Sequence, residues 1–273
     1  MHLDAHVHFW RYSPNDYAWI DESMAALRRD FMPADARREM AANGIDACVA
    51  VQVRQSLEET RWLLQLADAH PFIAGVVGWV DLRRDDVDSQ IASVTHPKLV
   101  GVRHIVQAEA DEFLQDDRFR RGVGRLARHG LGYDILVYAR QLPAAVEFAT
   151  ALPEVRLVLD HLGKPDIRSG AFDSWRRDLD RIAALPHVSA KLSGLVTEAD
   201  WHRWTVEDLH RYITAALESF GPERLMIGSD WPVCTLAGSY GAVLDIVRSA
   251  IAMRSEAERR AILGGTAKRF WGL

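Results

Sequence analysis

The chain has 273 residues, 48% hydrophobic and 26% charged, with a formal net charge of -5. This is the composition of a folded globular protein with a sizeable core; it excludes disorder and offers no basic stripe for nucleic acid to follow. The two cysteines, Cys48 and Cys234, lie far apart and define no disulfide framework, and no apolar run approaches a membrane span, so a cytoplasmic protein in a reducing compartment is expected.

Eight candidate strands follow in order: Leu3 to Val7, Ala47 to Val53, Ile73 to Val80, Leu99 to Arg103, Gly132 to Val137, Arg156 to Leu159, Val188 to Leu192 and Leu225 to Gly228. Most are continuous apolar runs, as parallel strands buried on both faces require. Helical segments lie between them. Pro33 opens one that ends near Gly44, Ser56 to Glu59 reads as a capping box, and Asp117 to His129 stops at Gly130. Asp173 to Leu185 stops at Pro186, and Thr205 to Asp208 opens a helix closed by Gly221-Pro222. Eight βα units in about 250 residues predict a single-domain (β/α)8 TIM barrel over residues 1–273. The first βα loop, 9–32, is far longer than such loops need and carries Trp10, Tyr12, Tyr17 and Trp19. It is either an aromatic wall or lid over the barrel mouth, or a loop packed on the rim.

A barrel gathers its chemistry at the C-terminal ends of its strands. Those ends carry His6 and His8, Arg54, Trp79 with Asp81, Arg103 with His104, Asp134 with Tyr138, Asp160 with His161, Lys191, and Ser229 with Asp230. His6 and His8, at i and i+2, share one side of a strand and form a pair able to ligate a metal or polarise a carbonyl. Lysine occurs only at Lys98, Lys164, Lys191 and Lys268, so Lys191 at a strand end is a candidate site residue, with a rim salt bridge as its bland alternative. Lys164 reads as a loop residue near the site.

Five motifs, Asp4-Ala5-His6-Val7-His8, Gly101-Val102-Arg103-His104, Asp160-His161-Leu162-Gly163-Lys164-Pro165, Lys191-Leu192-Ser193-Gly194-Leu195 and Gly228-Ser229-Asp230-Trp231-Pro232, resemble the amidohydrolase superfamily, within it the branch of metal-sparing sugar-lactone hydrolases. The resemblance implies a site formed by His6, His8, His161 and Asp230 that hydrolyses a lactone such as L-fucono-1,5-lactone or a similar aldonolactone. The superfamily's bridging lysine or glutamate on strand four and histidine on strand five are missing, which argues against two bridged metals. Either one divalent ion, zinc first, held by His6, His8, His161 and Asp230, or no cofactor at all is expected.

On this reading Asp230 activates water, the three histidines polarise the carbonyl, and His104 protonates the leaving ring oxygen. Arg54, Arg103 and Lys191 form a basic pocket for hydroxyls or a carboxylate, and Trp79, Tyr138 and Trp231 complete the substrate contacts. The expected partner is a small-molecule sugar lactone, with no nucleic acid or membrane; oligomeric state is not encoded. A metal-dependent decarboxylase of aromatic or unsaturated acids is the rival reaction on the same barrel. A non-catalytic sugar-binding barrel is the remaining alternative.

Overall fold

The computed structural model describes residues 1–273. Eight parallel strands pair in sequence order, each with the next. They are β1 Leu3–Val7, β2 Ala47–Val51, β3 Ile73–Gly78, β4 Leu99–His104, β5 Gly132–Ile135, β6 Leu157–Leu159, β7 Val188–Leu192 and β8 Leu225–Ile227. The ring closes just beyond β8, where Asp230 N–H donates to His6 O (2.9 Å) and His8 N–H donates to Trp231 O (2.7 Å). Closure therefore falls at the C-terminal rim. The expected (β/α)8 barrel is the observed fold.

The helices around it are α1 Pro33–Ala42, α2 Leu57–Ala69, α3 Val87–Ala92, α4 Asp117–Leu126, α5 Leu142–Thr150, α6 Phe172–Ala183, the short α7 Leu195–Glu198, α8 Val206–Phe220 and α9 Tyr240–Ala250. Their apolar faces and the outer strand faces form the larger core. Inside the barrel a smaller core of Leu3, Ala5, Val49, Val77, Val158 and Met226 is sealed at the N-terminal end by Phe270 and Trp271. No helix is long and apolar enough to cross a membrane.

Several strands end earlier than their apolar runs because side chains capture the backbone. After Val51, the Glu59 carboxylate accepts from Val53 N–H (3.0 Å) and Arg54 N–H (2.7 Å). Ser56 still caps Glu59 N–H, but Glu59 is spent on β2, so the reciprocal half of the expected capping box is absent. After Gly78, the Thr60 hydroxyl binds both Trp79 N–H and Trp79 O. Thr205 and Asp208 do form a reciprocal box at the start of α8.

The long loop 9–32 is packed onto the rim. Trp10 is fully buried, lies against Tyr17 and Phe31, and donates its indole N–H to Arg29 O. Trp10 and Phe31 also form an antiparallel bridge that pins the two ends of the loop together.

Candidate active site

The site begins with a bulge in β1. Asp4 pairs with Cys48 and Val7 with Ala50, so β1 spends three steps where β2 spends two. The extra residue breaks the two-residue alternation: Leu3 and Ala5 face the barrel interior, and His6 and His8 face it as well. Asp4 points outward and secures the bulge. Its Oδ1 accepts from His6 N–H (3.1 Å) and Ser229 N–H (2.9 Å), and its Oδ2 from the Tyr240 hydroxyl (2.9 Å). Burial pushes the Asp4 pKa up, against the pull of these donors. The sequence shows His-x-His but carries no sign of the bulge that aims it.

Two strained turns deliver the remaining groups. His161, Leu162, Gly163 and Lys164 after β6 all have positive φ, as does Asp230 after β8. Left-handed non-glycine residues cost roughly 1–2 kcal/mol each and gather at functional sites. The first turn points His161 inward over Gly194, where a Cβ would stand 2.6 Å from His161 Nδ1.

Each of the three imidazoles has its Nδ1 occupied. His8 Nδ1 lies 2.8 Å from Val51 O, which can only accept; His161 Nδ1 lies 2.8 Å from Ser193 Oγ; His6 Nδ1 lies 3.5 Å from Asp160 Oδ1. Arg103, which can only donate, faces His6 Nε2 at 3.3 Å. Val51 O therefore fixes the His8 proton on Nδ1 and turns the His8 Nε2 lone pair toward Asp230, whereas the Ser193 hydroxyl can donate to or accept from His161 and His6 meets a donor at each nitrogen, Lys191 Nζ at Nδ1 (3.1 Å) and Arg103 at Nε2. His8 Nε2 is 3.2 Å from both His6 Nε2 and Asp230 Oδ1, and Asp230 Oδ1 is 3.7 Å from His6 Nε2 and 3.9 Å from His161 Nε2. Burial drives the His6 pKa well down, with Lys191 adding to the effect, and lowers that of His161 to about 4. Burial raises the Asp230 pKa, but the His161, His8 and His6 imidazoles outweigh it and the carboxylate is held far down in its ionised form.

The donor set fits a cation. Ligands about 2.0–2.1 Å from a tetrahedral zinc stand about 3.3 Å from one another, and the observed 3.2–3.9 Å spacings approach this. His6, His161 and Asp230 alone bring one ligand atom each within 4.8 Å of one another. His8 has Val51 O, and His161 the Ser193 hydroxyl, on its other nitrogen, the kind of support that metal-binding histidines need.

Beneath the imidazoles lies a charge cluster. Lys191 is fully buried, its Nζ 2.5 Å from Asp134 Oδ2, 2.9 Å from Asp160 Oδ1 and 3.1 Å from His6 Nδ1. Arg103 binds Asp160 Oδ2 (3.0 Å), Gln52 O (2.5 Å) and Gln52 Oε1 (3.0 Å). Asp160 is ionised, since Lys191, His6 and Arg103 overcome its burial, whereas Asp134 is pushed up to about 7 by burial and by the Asp160 charge.

Of the residues singled out in the sequence, His6, His8, His161 and Asp230 come together, with Arg103 against His6. Four expectations change. Lys191 and Arg103 are enclosed by carboxylates and carbonyls, so they brace the centre from below and present no open face to a ligand. His104, next to inward-facing Arg103, points the other way by strand alternation; its ring stacks on Phe113 and its Nε2 meets Glu109 at 2.8 Å. Trp231 is buried against Phe31 and Phe9. Trp79 is fixed to α2 only through its backbone, whose N–H and O both bond Thr60, and its indole N–H is buried without a hydrogen-bond partner. Arg54 is paired with Asp16 of the long loop at 2.9 Å, so the expected basic pocket is a set of neutralised ion pairs. Tyr138 remains beside the mouth, its ring 4.8 Å from Lys164 Nζ. Sequence reasoning gave no role to Asp4, Ser193, Glu109 or Glu198, each of which acts through a partner distant in the chain or on a loop.

Fold and site together define a parallel barrel with three imidazoles and one carboxylate at its C-terminal rim. The amidohydrolase profile matches residues 3–273, and the chain belongs to that family. It is 46% identical, over 100% of its length and 96% of the relative's, to an L-fucono-1,5-lactonase from Burkholderia multivorans. It is 41% identical to an L-fucono-1,5-lactonase from Burkholderia ambifaria, over 88% of this chain and 83% of that one. A crystal structure of an amidohydrolase from Burkholderia multivorans with bound zinc superposes with a TM-score of 0.96 at 45% identity, covering 100% of this chain and 99% of that one.

Proposed function

We propose that the protein is a lactonase that opens L-fucono-1,5-lactone or a similar aldonolactone to the hydroxy acid. The observation that carries this reading is an ionised, enclosed carboxylate facing three imidazoles in a chain 46% identical along its whole length to an L-fucono-1,5-lactonase. Asp230 accepts the proton of a water held between it and the lactone carbonyl. Its low pKa makes it a weak base, and position supplies what basicity does not. Water oxygen bonds to the carbonyl carbon, the tetrahedral intermediate collapses, and the bond from that carbon to the ring oxygen breaks as the proton taken up by Asp230 passes to that oxygen.

We infer that His6, His8, His161 and Asp230 hold one divalent cation, zinc being supported by the zinc-bound relative. Such an ion supplies the positive charge that a developing oxyanion needs. His8 does not supply it, because its proton is committed to Val51 O. His104, turned away from the centre, is no longer our proton donor to the ring oxygen.

A pH-indicator assay of an aldonolactone panel, run with and without chelator, tests the reaction and the ion together. Opening of a 1,5-lactone that falls with chelator and returns with zinc is the expected result. Asp230→Asn should lower kcat by about 10²–10⁴-fold with the fold intact. Near-normal turnover in that variant removes Asp230 from its role, and carbon dioxide release from an aromatic acid without lactone opening would replace the reaction itself.

A further inference from the structure

Lys164 and Glu198 form a pair at the edge of the site that the chemistry above does not use. Lys164 Nζ lies 2.9 Å from Glu198 Oε1, and both side chains are only about one-sixth exposed (16% and 15%). Much of the local backbone is bent to make this contact. Lys164 closes the left-handed run that begins at His161, and Glu198 ends α7, whose first residue follows Gly194 at φ 65°. Arg168 N–H donates to Glu198 O (3.1 Å), tying the two loops together. The Lys164 ammonium also sits over the Tyr138 ring. Burial draws its pKa down, but the Glu198 carboxylate and Tyr138 outweigh this and keep it charged. Asp230 is close enough to act electrostatically on both partners.

The surrounding charges give the pair its meaning. Several cations around the barrel mouth already have carboxylates: Arg54 has Asp16, Arg103 and Lys191 share Asp160, Lys191 also has Asp134, and Arg140 beyond Tyr138 has Asp111. Asp230 is a further negative charge, facing the imidazoles. A ligand bearing a free carboxylate meets, at Lys164, an ammonium already neutralised by Glu198. A neutral polyol finds an ammonium with donors to share and a carboxylate with lone pairs to share.

Resting on the lactonase reading, we propose that Lys164 and Glu198 act as one neutral pair that determines specificity, binding hydroxyl groups of an uncharged polyhydroxylated lactone, while Glu198 repels lactones that carry a second carboxylate. Discrimination of this kind needs a repulsive element as well as an attractive one, and Glu198 is that element.

The test compares kcat/KM for a neutral aldono-1,5-lactone with that for an aldaric acid monolactone, which has a free carboxylate. Wild type should prefer the neutral lactone. Glu198→Gln, which leaves the ammonium uncompensated, should shift the ratio at least tenfold toward the monolactone, mainly through KM. Lys164→Met should raise KM for the neutral lactone with no gain on the monolactone. Glu198→Asp, which keeps the charge, should retain the wild-type preference and keeps the test valid if Glu198→Gln folds poorly. An unchanged ratio in Glu198→Gln, or loss of preference in Glu198→Asp, overturns the role of the pair while lactone opening by wild type stands. Failure of wild type to open any lactone overturns both.

Discussion

His8 Nε2 and Asp230 Oδ1 face each other at 3.2 Å with no proton to share, because the His8 proton is committed to Val51 O and the carboxylate is ionised. Two acceptors at that distance repel unless a cation lies between or beside them. His161 is held from outside in turn by the Ser193 hydroxyl. Ser193→Ala removes the acceptor that fixes His161 and should weaken zinc binding about 10–100-fold, as loss of a supporting hydrogen bond does at metal-binding histidines. Competition against a chromophoric chelator measures it, with one equivalent of zinc per chain expected for wild type. Equal affinity in the variant would show that Ser193 does not orient His161 for the ion.

Metal-free protein should lose stability in acid through the imidazoles. The His161 pKa falls from its ordinary 6.5 to about 4 by burial, and that of His6 moves the same way. Between these values the unfolded chain takes up the proton and the folded one does not, so stability decreases as pH falls from 6.5 to 4 and levels off below. Above 6.5 the contribution is complete. For His161 alone the window is worth about 3 kcal/mol. Urea midpoints measured from pH 7 to pH 4 should drop, and His161→Gln should flatten the slope.

Lys191 explains why the barrel tolerates Asp134 and Asp160 in its interior. Lys191→Met strands these carboxylates with only Arg103 to answer them, and breaking a buried pair in this way costs about 3–5 kcal/mol. Adding Asp134→Asn removes one stranded charge, and the double variant should recover part of the loss. Thermal melts of the two variants decide this; an undiminished melting temperature in Lys191→Met would mean the ammonium contributes no net stability.

The eight strands were legible because each is a short apolar run between helical segments, and the strand-end rule located His6, His8, His161 and Asp230 at one rim. What the sequence concealed was side-chain direction. A one-residue bulge after Ala5 turns the histidine pair inward, and strict alternation after Arg103 turns His104 outward; neither leaves a compositional trace. Strand-end cations also looked alike in the sequence. Only folding shows that Arg54 answers Asp16 on the long first loop and that Lys191 answers two aspartates from other strands.

Gly194 offers a separate test of how tightly His161 must be held. Gly194 has φ 65°, and a Cβ there would lie 2.6 Å from His161 Nδ1 and 2.7 Å from Cγ, too close for either to remain in place. Gly194→Ala must therefore push the imidazole off its bond to Ser193, and a displacement near 1 Å at a reacting centre can lower the rate about 10²-fold. The backbone strain of alanine at positive φ accompanies this loss, so it has to be separated. Gly170 has φ 74° and nothing within 4 Å of its Cβ position, which makes Gly170→Ala a control with the same strain and no clash. Gly194→Ala should lose about 10²-fold in kcat while Gly170→Ala stays near wild type, with comparable falls in melting temperature. Equal activities in the two variants would show that the position of His161 does not limit turnover.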